Sequence, residues 1–272
     1  MGDRLPRAVV LRVNKCLRNE SDVLDLSDIP LEVLPGQHRE LTHLREFRLN
    51  LIKIPERLGD LTALTHLRLG GELTEVPGSL RDLTSLVSLD LCGNRLTEIP
   101  EWLGELTTLK HLYLQGNQLA GLPDSLGNLT ALSDLILSKN QLTKVPDSLG
   151  NLTALNRLFL GINQLTGLPD SLGNLTALSS LVLEVNRLTE VPDSLGDLTA
   201  LRHLSLRYNR LTSLPESLGN LAALTHLRLE GNHLTSLPSS LVNLTALTTL
   251  SLEPHLLPGL PKTLRRRVKT TG

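Results

Sequence analysis

Leucine alternates with a variable residue in a short L-x-L unit that recurs eleven times, from Leu24/Leu26 to Leu250/Leu252, with Phe47 replacing leucine once. A period of two places the leucines on one face of a short strand and the variable residues on the other. One strand per unit, always running the same way, predicts a parallel sheet. At about 4.8 Å between strands, ten steps give an inner face about 50 Å long. Three residues after the second leucine comes asparagine, at Asn94, Asn117, Asn140, Asn163, Asn186, Asn209 and Asn232. Its amide carries both donor and acceptor, so a buried copy at the inward turn can bond to the backbone of neighbouring units. A catalytic asparagine would occur once; seven in register are structural. The segment P-x-S-L-G-N-L then returns along the outer face, where Pro and Gly fix the turns and Ser or Asp is expected to cap a short helix.

The whole unit is periodic. Proline recurs at 77, 100, 123, 146, 169, 192, 215, 238 and 261, always 23 residues apart. Such a period marks a stack of one small unit, a single elongated domain with no one centre. Two intervals are short: 20 residues from Pro35 to Pro55 and 22 from Pro55 to Pro77, the losses falling just after the strands. Curvature and loop edge must differ there. The end units would expose one side of the leucine core. Val9, Val13, Cys16 and Leu17 fall at helical spacing, with Arg7, Arg12, Lys15 and Arg18 mostly elsewhere on the wheel, which predicts a capping helix within residues 1–20. The repeats occupy 21–261, the first reading from Val23 to Pro35, and 262–272 form a basic cap or tail. Lys262 to Lys269 reads as a short closing helix, with a polybasic contact for nucleic acid or acidic lipid as the alternative.

The pattern L-x-x-L-x-L-x-x-N-x-L-T-x-L-P-x-x-L-G-N-L-T-A, over roughly residues 21 to 264, resembles the leucine-rich repeat in its 23-residue intracellular form. That form occurs in bacterial leucine-rich-repeat proteins, Roco repeat domains, and plant Ras-group-related and Ras-binding scaffold repeat proteins. The resemblance implies an α/β solenoid of about eleven repeats, a curved horseshoe with a parallel β-sheet on its concave face and short helical or 3-10 turns on its convex face. It also implies a non-catalytic protein-protein interaction module or scaffold, with a protein or peptide partner on the concave face. The alternative is a recognition domain separated from a larger signalling enzyme or receptor of GTPase or ubiquitin-ligase type. The sequence itself holds no G-x-x-x-x-G-K-[ST] motif.

With leucine, asparagine and proline committed to the core, function falls to the variable strand positions. Inside successive L-x-L units stand Asp25, Arg48, Arg68, Asp90, Tyr113, Ile136, Phe159, Val182, Ser205, Arg228 and Ser251. Four consecutive units in the middle are apolar, between polar or charged neighbours. Two residues beyond the second leucine, Ile162, Val185 and Tyr208 extend this patch diagonally. Three of the five aromatics, Tyr113, Phe159 and Tyr208, land here in a chain that is only 2% aromatic. An apolar patch with a polar rim is the composition of a protein-binding hot spot. Residues that merely suit strands would scatter over all eleven. Around the patch lie Arg157, Lys139, Asp134, Glu184 and Arg207; mixed charge suits partner orientation and on-rate, or equally a solvated face. The expected partner-binding set is therefore Tyr113, Ile136, Phe159, Val182, Ile162, Val185, Tyr208, Arg157 and Arg207.

Composition narrows the chemistry further. A net charge of −1 makes no electrostatic case for nucleic acid or an anionic membrane. No run approaches the roughly 20 apolar residues of a membrane span, and the amino terminus lacks the apolar core of a signal peptide. The expectation is a cytoplasmic, monomeric protein without cofactor, metal or small-molecule substrate, and an arginine-to-lysine ratio of 20 to 7 points to a bacterial source. Asn-Leu-Thr at Asn128, Asn151, Asn174 and Asn243 matches a glycosylation acceptor but belongs to the repeat, with its leucine buried. Cys16 and Cys92 are three repeats apart, too far to bridge. Cys92 lacks the His or acidic partner of a nucleophile. His66, His111, His203 and His226 share one strand column; with no third ligand or acidic neighbour in register, they read as solvent-facing. Trp102 replaces the usual Ser on the outer face, and is expected to pack on the next turn. No paired carboxylates or phosphate loop supports an enzyme.

Overall fold

The computed structural model describes residues 6–31, 40–51, 56–260, 262–265 and 269–271. Pro35, Pro55 and Pro261, which mark parts of the proline rhythm, lie outside the described residues. Among the described residues, twelve strands form one parallel sheet in chain order: β1 (Val23–Leu31), β2 (Glu46–Leu51), β3 (His66–Gly71), β4 (Ser88–Asp90), β5 (His111–Tyr113), β6 (Asp134–Ile136), β7 (Arg157–Phe159), β8 (Ser180–Val182), β9 (His203–Ser205), β10 (His226–Arg228), β11 (Thr249–Ser251) and β12 (Lys269–Thr271). The L-x-L register is kept from strand to strand, as in Leu135↔Leu158↔Leu181. The leucines of neighbouring units stack into one continuous core, nearly all fully buried. Eleven of the strands are those of the repeat.

The first three strands are longer than the others, which are three residues each. The second and third lie in the two short intervals, and none of the three is followed by the asparagine. Without the asparagine corner the chain has no local reason to turn inward, and pairing runs on past the second leucine, as in Asn50↔Gly70.

In the regular units the asparagine does what its chemistry allows. Asn163 donates through Nδ2 to the carbonyls of Leu137 at 3.1 Å and Leu160 at 2.9 Å, while its Oδ1 accepts the Leu142 amide at 3.0 Å. One side chain thus ties its own turn to the preceding unit and satisfies backbone groups that water cannot reach. The convex face carries five-residue 3-10 turns such as Asp147–Asn151. Serine does not cap them as expected. The N-cap position belongs to an extended proline, Pro146 in this turn, and no side-chain cap bond forms. Serine instead lies against the glycine of the preceding turn: a Cβ on Gly150 would stand 2.4 Å from the Ser171 carbonyl oxygen. The Gly-Ser pair sets how closely the turns stack.

At the amino end, α1 (Arg7–Arg18) buries Val9, Val13 and Cys16. Arg12 holds it to β1 by pairing with Asp28 and donating to the Asp25 carbonyl at 3.1 Å. At the carboxy end, the closing helix read over Lys262–Lys269 is corrected. Helix α2 (Lys262–Arg265) is one turn long, and Lys269–Thr271 returns as strand β12 beside β11. An open sheet edge offers unpaired backbone groups, and β12 covers them. Leu264 is fully buried beneath this cap, and Arg265 donates to the carbonyls of Leu257, Pro258 and Leu260. Among the described residues no helix is long and apolar enough to cross a membrane.

Candidate functional site on the concave face

Register alone assembles the middle of the sheet. Tyr113, Ile136, Phe159 and Val182 are direct cross-strand neighbours on β5 to β8, followed by Ser205 on β9. They form one column, about 4.8 Å per step. The column is more covered than its sequence suggests: Ile136 is only 8% exposed, and Tyr113, Phe159 and Val182 are half-buried. The exposed apolar surface lies one row further on, where Ile162, Val185 and Tyr208 are 42%, 40% and 54% exposed.

Beside the apolar column, His111, Asp134, Arg157, Ser180, His203 and His226 occupy a second register column. Asp134 is buried, not part of a solvated face. Arg157 grips its carboxylate through Nε at 2.5 Å and Nη2 at 2.7 Å, and the Nδ1 of His111 lies 2.6 Å away on the other side. The Arg157 bonds hold the Asp134 carboxyl below the usual carboxylate range, against the opposing effect of burial and with help from His111. One histidine of the column therefore does have an acidic neighbour, contrary to expectation. The His111 ring lies parallel to that of Tyr113, with centroids 6.3 Å apart. Burial, then the charge of Asp134, raises the Tyr113 hydroxyl above its usual value, so it remains a neutral donor.

His203 and His226 stack at 4.6 Å between centroids. Burial, and after it His226, lowers the proton affinity of His203. Among the described residues no cluster of three or more His, Cys, Asp or Glu is placed to hold a metal ion. Cys92 does meet an acid, but one of the wrong sign for a nucleophile: burial and then Asp90 push its thiol up to about 12.

On the carboxy side, Arg207 donates to Glu184 at 2.8 Å, reaches Glu230 at 3.8 Å, and sits 5.5 Å from the Tyr208 ring centroid. The Tyr208 ring lies over Gly231, where a Cβ would approach its Cδ1 to 2.3 Å. A depression of about 230 Å³ on β2 to β5 is lined by Arg48, Arg68, His66 and Tyr113 among others. Its guanidinium groups are answered by Glu46, Asp25 and Asp90, so it presents no uncompensated cation pair.

One feature was not anticipated. The residue before each asparagine adopts a left-handed backbone. It is glycine at Gly93, Gly116 and Gly231, but Lys139, Ile162, Val185 and Tyr208 hold φ between +54° and +58° in the four consecutive units between. A side chain there costs roughly 1–2 kcal/mol each, and a β-branched one is a true outlier. The sequence carried a signal, since three sister units place glycine at that step.

Comparison with known proteins follows the fold. A model described as "Leucine-rich repeat region" matches residues 66–181, 100–208 and 186–266. No curated protein matches. Among solved structures, the chain is similar to the plant peptide hormone receptor RGFR1 in complex with RGF2, at 29% identity and a TM-score of 0.74 over 88% of the chain and 41% of the receptor. A TDR receptor is 27% identical with a TM-score of 0.79, covering 90% of the chain and 45% of the receptor. The functional domain of InlJ from Listeria monocytogenes is 25% identical with a TM-score of 0.73, covering 85% and 48%. The chain spans less than half of each of these longer proteins.

Proposed function

We propose, from the premise that this chain belongs to the leucine-rich repeat family, that it is a non-catalytic module binding a protein or peptide on the concave face of β5 to β9. The observation that carries this reading is the unbroken register of Tyr113, Ile136, Phe159 and Val182 beside the exposed row Ile162, Val185 and Tyr208. Half-buried rings on a rigid sheet lose little freedom on binding and can serve as anchors. The buried Asp134, held by Arg157 and His111, keeps one border of the column in fixed geometry, and Arg207 does the same for the other. The likeness to a receptor solved with RGF2 supports a peptide or protein as the kind of partner.

The test is capture from the native lysate with wild type and with Phe159→Arg. A partner held by wild type and lost by the variant supports the reading; an identical set of captured proteins rejects it. With that partner in hand, Tyr113→Ala or Phe159→Ala is expected to weaken binding by about 30-fold, a 2 kcal/mol anchor, with little change in thermal midpoint. The chain works as a monomer in the cytoplasm in this reading, which light scattering and fractionation test directly.

A second reading, a recognition domain of a longer signalling protein, draws on the greater length of the matching receptors. Immunoblotting the native product for its mass decides between the two.

A further inference from the structure

The left-handed row distinguishes itself from the rest of the sheet by conformation, exposure and charge together. Its backbone is over-determined. Ile162, Val185 and Tyr208 donate their amides to the carbonyls of Glu184, Arg207 and Glu230 in the next unit at 2.7–3.0 Å. The amides of Asn140, Asn163 and Asn186 in turn reach the carbonyls of Ile162, Val185 and Tyr208 at 3.2–3.3 Å. This ladder holds each side chain at a φ that glycine would adopt freely, and glycine is what Gly93, Gly116 and Gly231 supply at the same step. The side chains are nevertheless left 40–54% exposed. Strain kept at apolar side chains this open points to a use outside the fold.

Three exposed cations border the row. Lys139 heads it, and Arg187 and Arg210 stand one residue past Asn186 and Asn209. All three are exposed and make no ion pair among the described residues. Of the nearby acids, Glu184 accepts from Arg207 at 2.8 Å, whereas Glu230 lies 3.8 Å from Arg207 with its Oε2 buried and unbonded.

We propose that Ile162, Val185 and Tyr208 form a docking edge for a protein segment whose apolar residues are flanked by carboxylates. Lys139, Arg187 and Arg210 receive the carboxylates. This rests on the concave-face reading above and adds to it the edge used and the charge of the partner.

Two measurements test it. Ile162→Gly with Val185→Gly removes both β-branched residues and restores the backbone preference; the double variant is expected to melt at or above the wild-type temperature. Ile162→Asn with Val185→Asn, polar but tolerant of the same φ, is the second version. Melting more than about 5 °C below wild type in both variants would show that the side chains serve packing and overturns the proposal. Random 15-residue peptides displayed on phage are then selected on the full chain. Selected peptides are expected to carry apolar cores flanked by Asp or Glu and to bind the glycine variant at least 10-fold more weakly. Arg187→Glu with Arg210→Glu is expected to reverse the preference to Lys or Arg flanks. No selection, neutral or basic flanks on wild type, or binding indifferent to the glycine variant each overturns the proposal. Capture by phosphatidylserine-containing phosphatidylcholine vesicles without peptide selection assigns the edge to lipid instead. Peptides lost with Phe159→Arg yet kept by the glycine variant would leave the concave-face reading standing and remove this one.

Discussion

At the scale of single residues, Asp134 is the side chain whose role changes most between pattern and structure. In the sequence it is one charge among several around an apolar patch. In the fold it is a buried carboxylate gripped by Arg157 and faced by His111. Asp134→Asn is expected to cost about 1.5–3 kcal/mol, the range for hydrogen bonds to a charged group. The pH dependence has a definite sign. The folded carboxyl titrates below its unfolded range, so its stabilisation is complete above about pH 4 and is lost as pH falls through the lower folded value. The thermal gap between wild type and Asp134→Asn should therefore be widest near neutrality and close as the pH is taken below about 4. A gap that stays constant down to pH 2 would contradict this. The residue's identity was plain in the sequence. Its burial was not, because that depends on which side chains on β5 and β7 fold over it.

At the scale of the element, the repeat unit was largely legible. Alternation gave the strands, and the asparagine corner and the proline-led turn followed from donor-acceptor chemistry and fixed φ. The capping preference of serine is overridden by the neighbour it meets in the adjacent unit. Spacing between turns comes from the Gly150-Ser171 kind of contact, which joins residues 21 apart. Gly150→Ala forces a Cβ onto a backbone oxygen and is expected to lower stability by about 1–3 kcal/mol. Gly167→Ala, where a Cβ meets open space, should change it by less than about 0.5 kcal/mol. Denaturant unfolding of the two variants side by side checks this, and equal losses would reject the spacing role. Trp102 fits the same logic as an exception: Arg81 stands where the turn before it should offer glycine, and Arg81 is tied to Glu105 at 2.5 Å. Serine and glycine are lost together at that step.

At the scale of the molecule, a stack in which each unit touches only its neighbours is weakest at its ends. Both ends are closed here, by α1 with its Arg12-Asp28 clamp and by α2 with β12. Ending the chain at residue 261 uncovers the edge of β11 and removes the buried Leu264. Amide exchange at Leu250 and Leu252 should then speed by about 30-fold, corresponding to about 2 kcal/mol of lost burial. The amides of β5 to β8 should keep their protection. Uniform acceleration along the chain would mean that the units unfold as one body.

By itself the sequence determined the parallel solenoid, its core, and the strands from which a binding surface could be drawn. These follow from local periodicity, and in a repeating chain local rules add up to the whole. Tertiary structure decided how much of each candidate remains accessible, that Ile136 and Asp134 are covered, that Arg157 and His111 share one carboxylate, and that a strand closes the carboxy edge. It also showed that Ile162, Val185 and Tyr208 sit in a left-handed backbone. Each of these depends on side chains or backbone groups meeting across neighbouring units, about 23 residues apart in the chain, where no local pattern reaches.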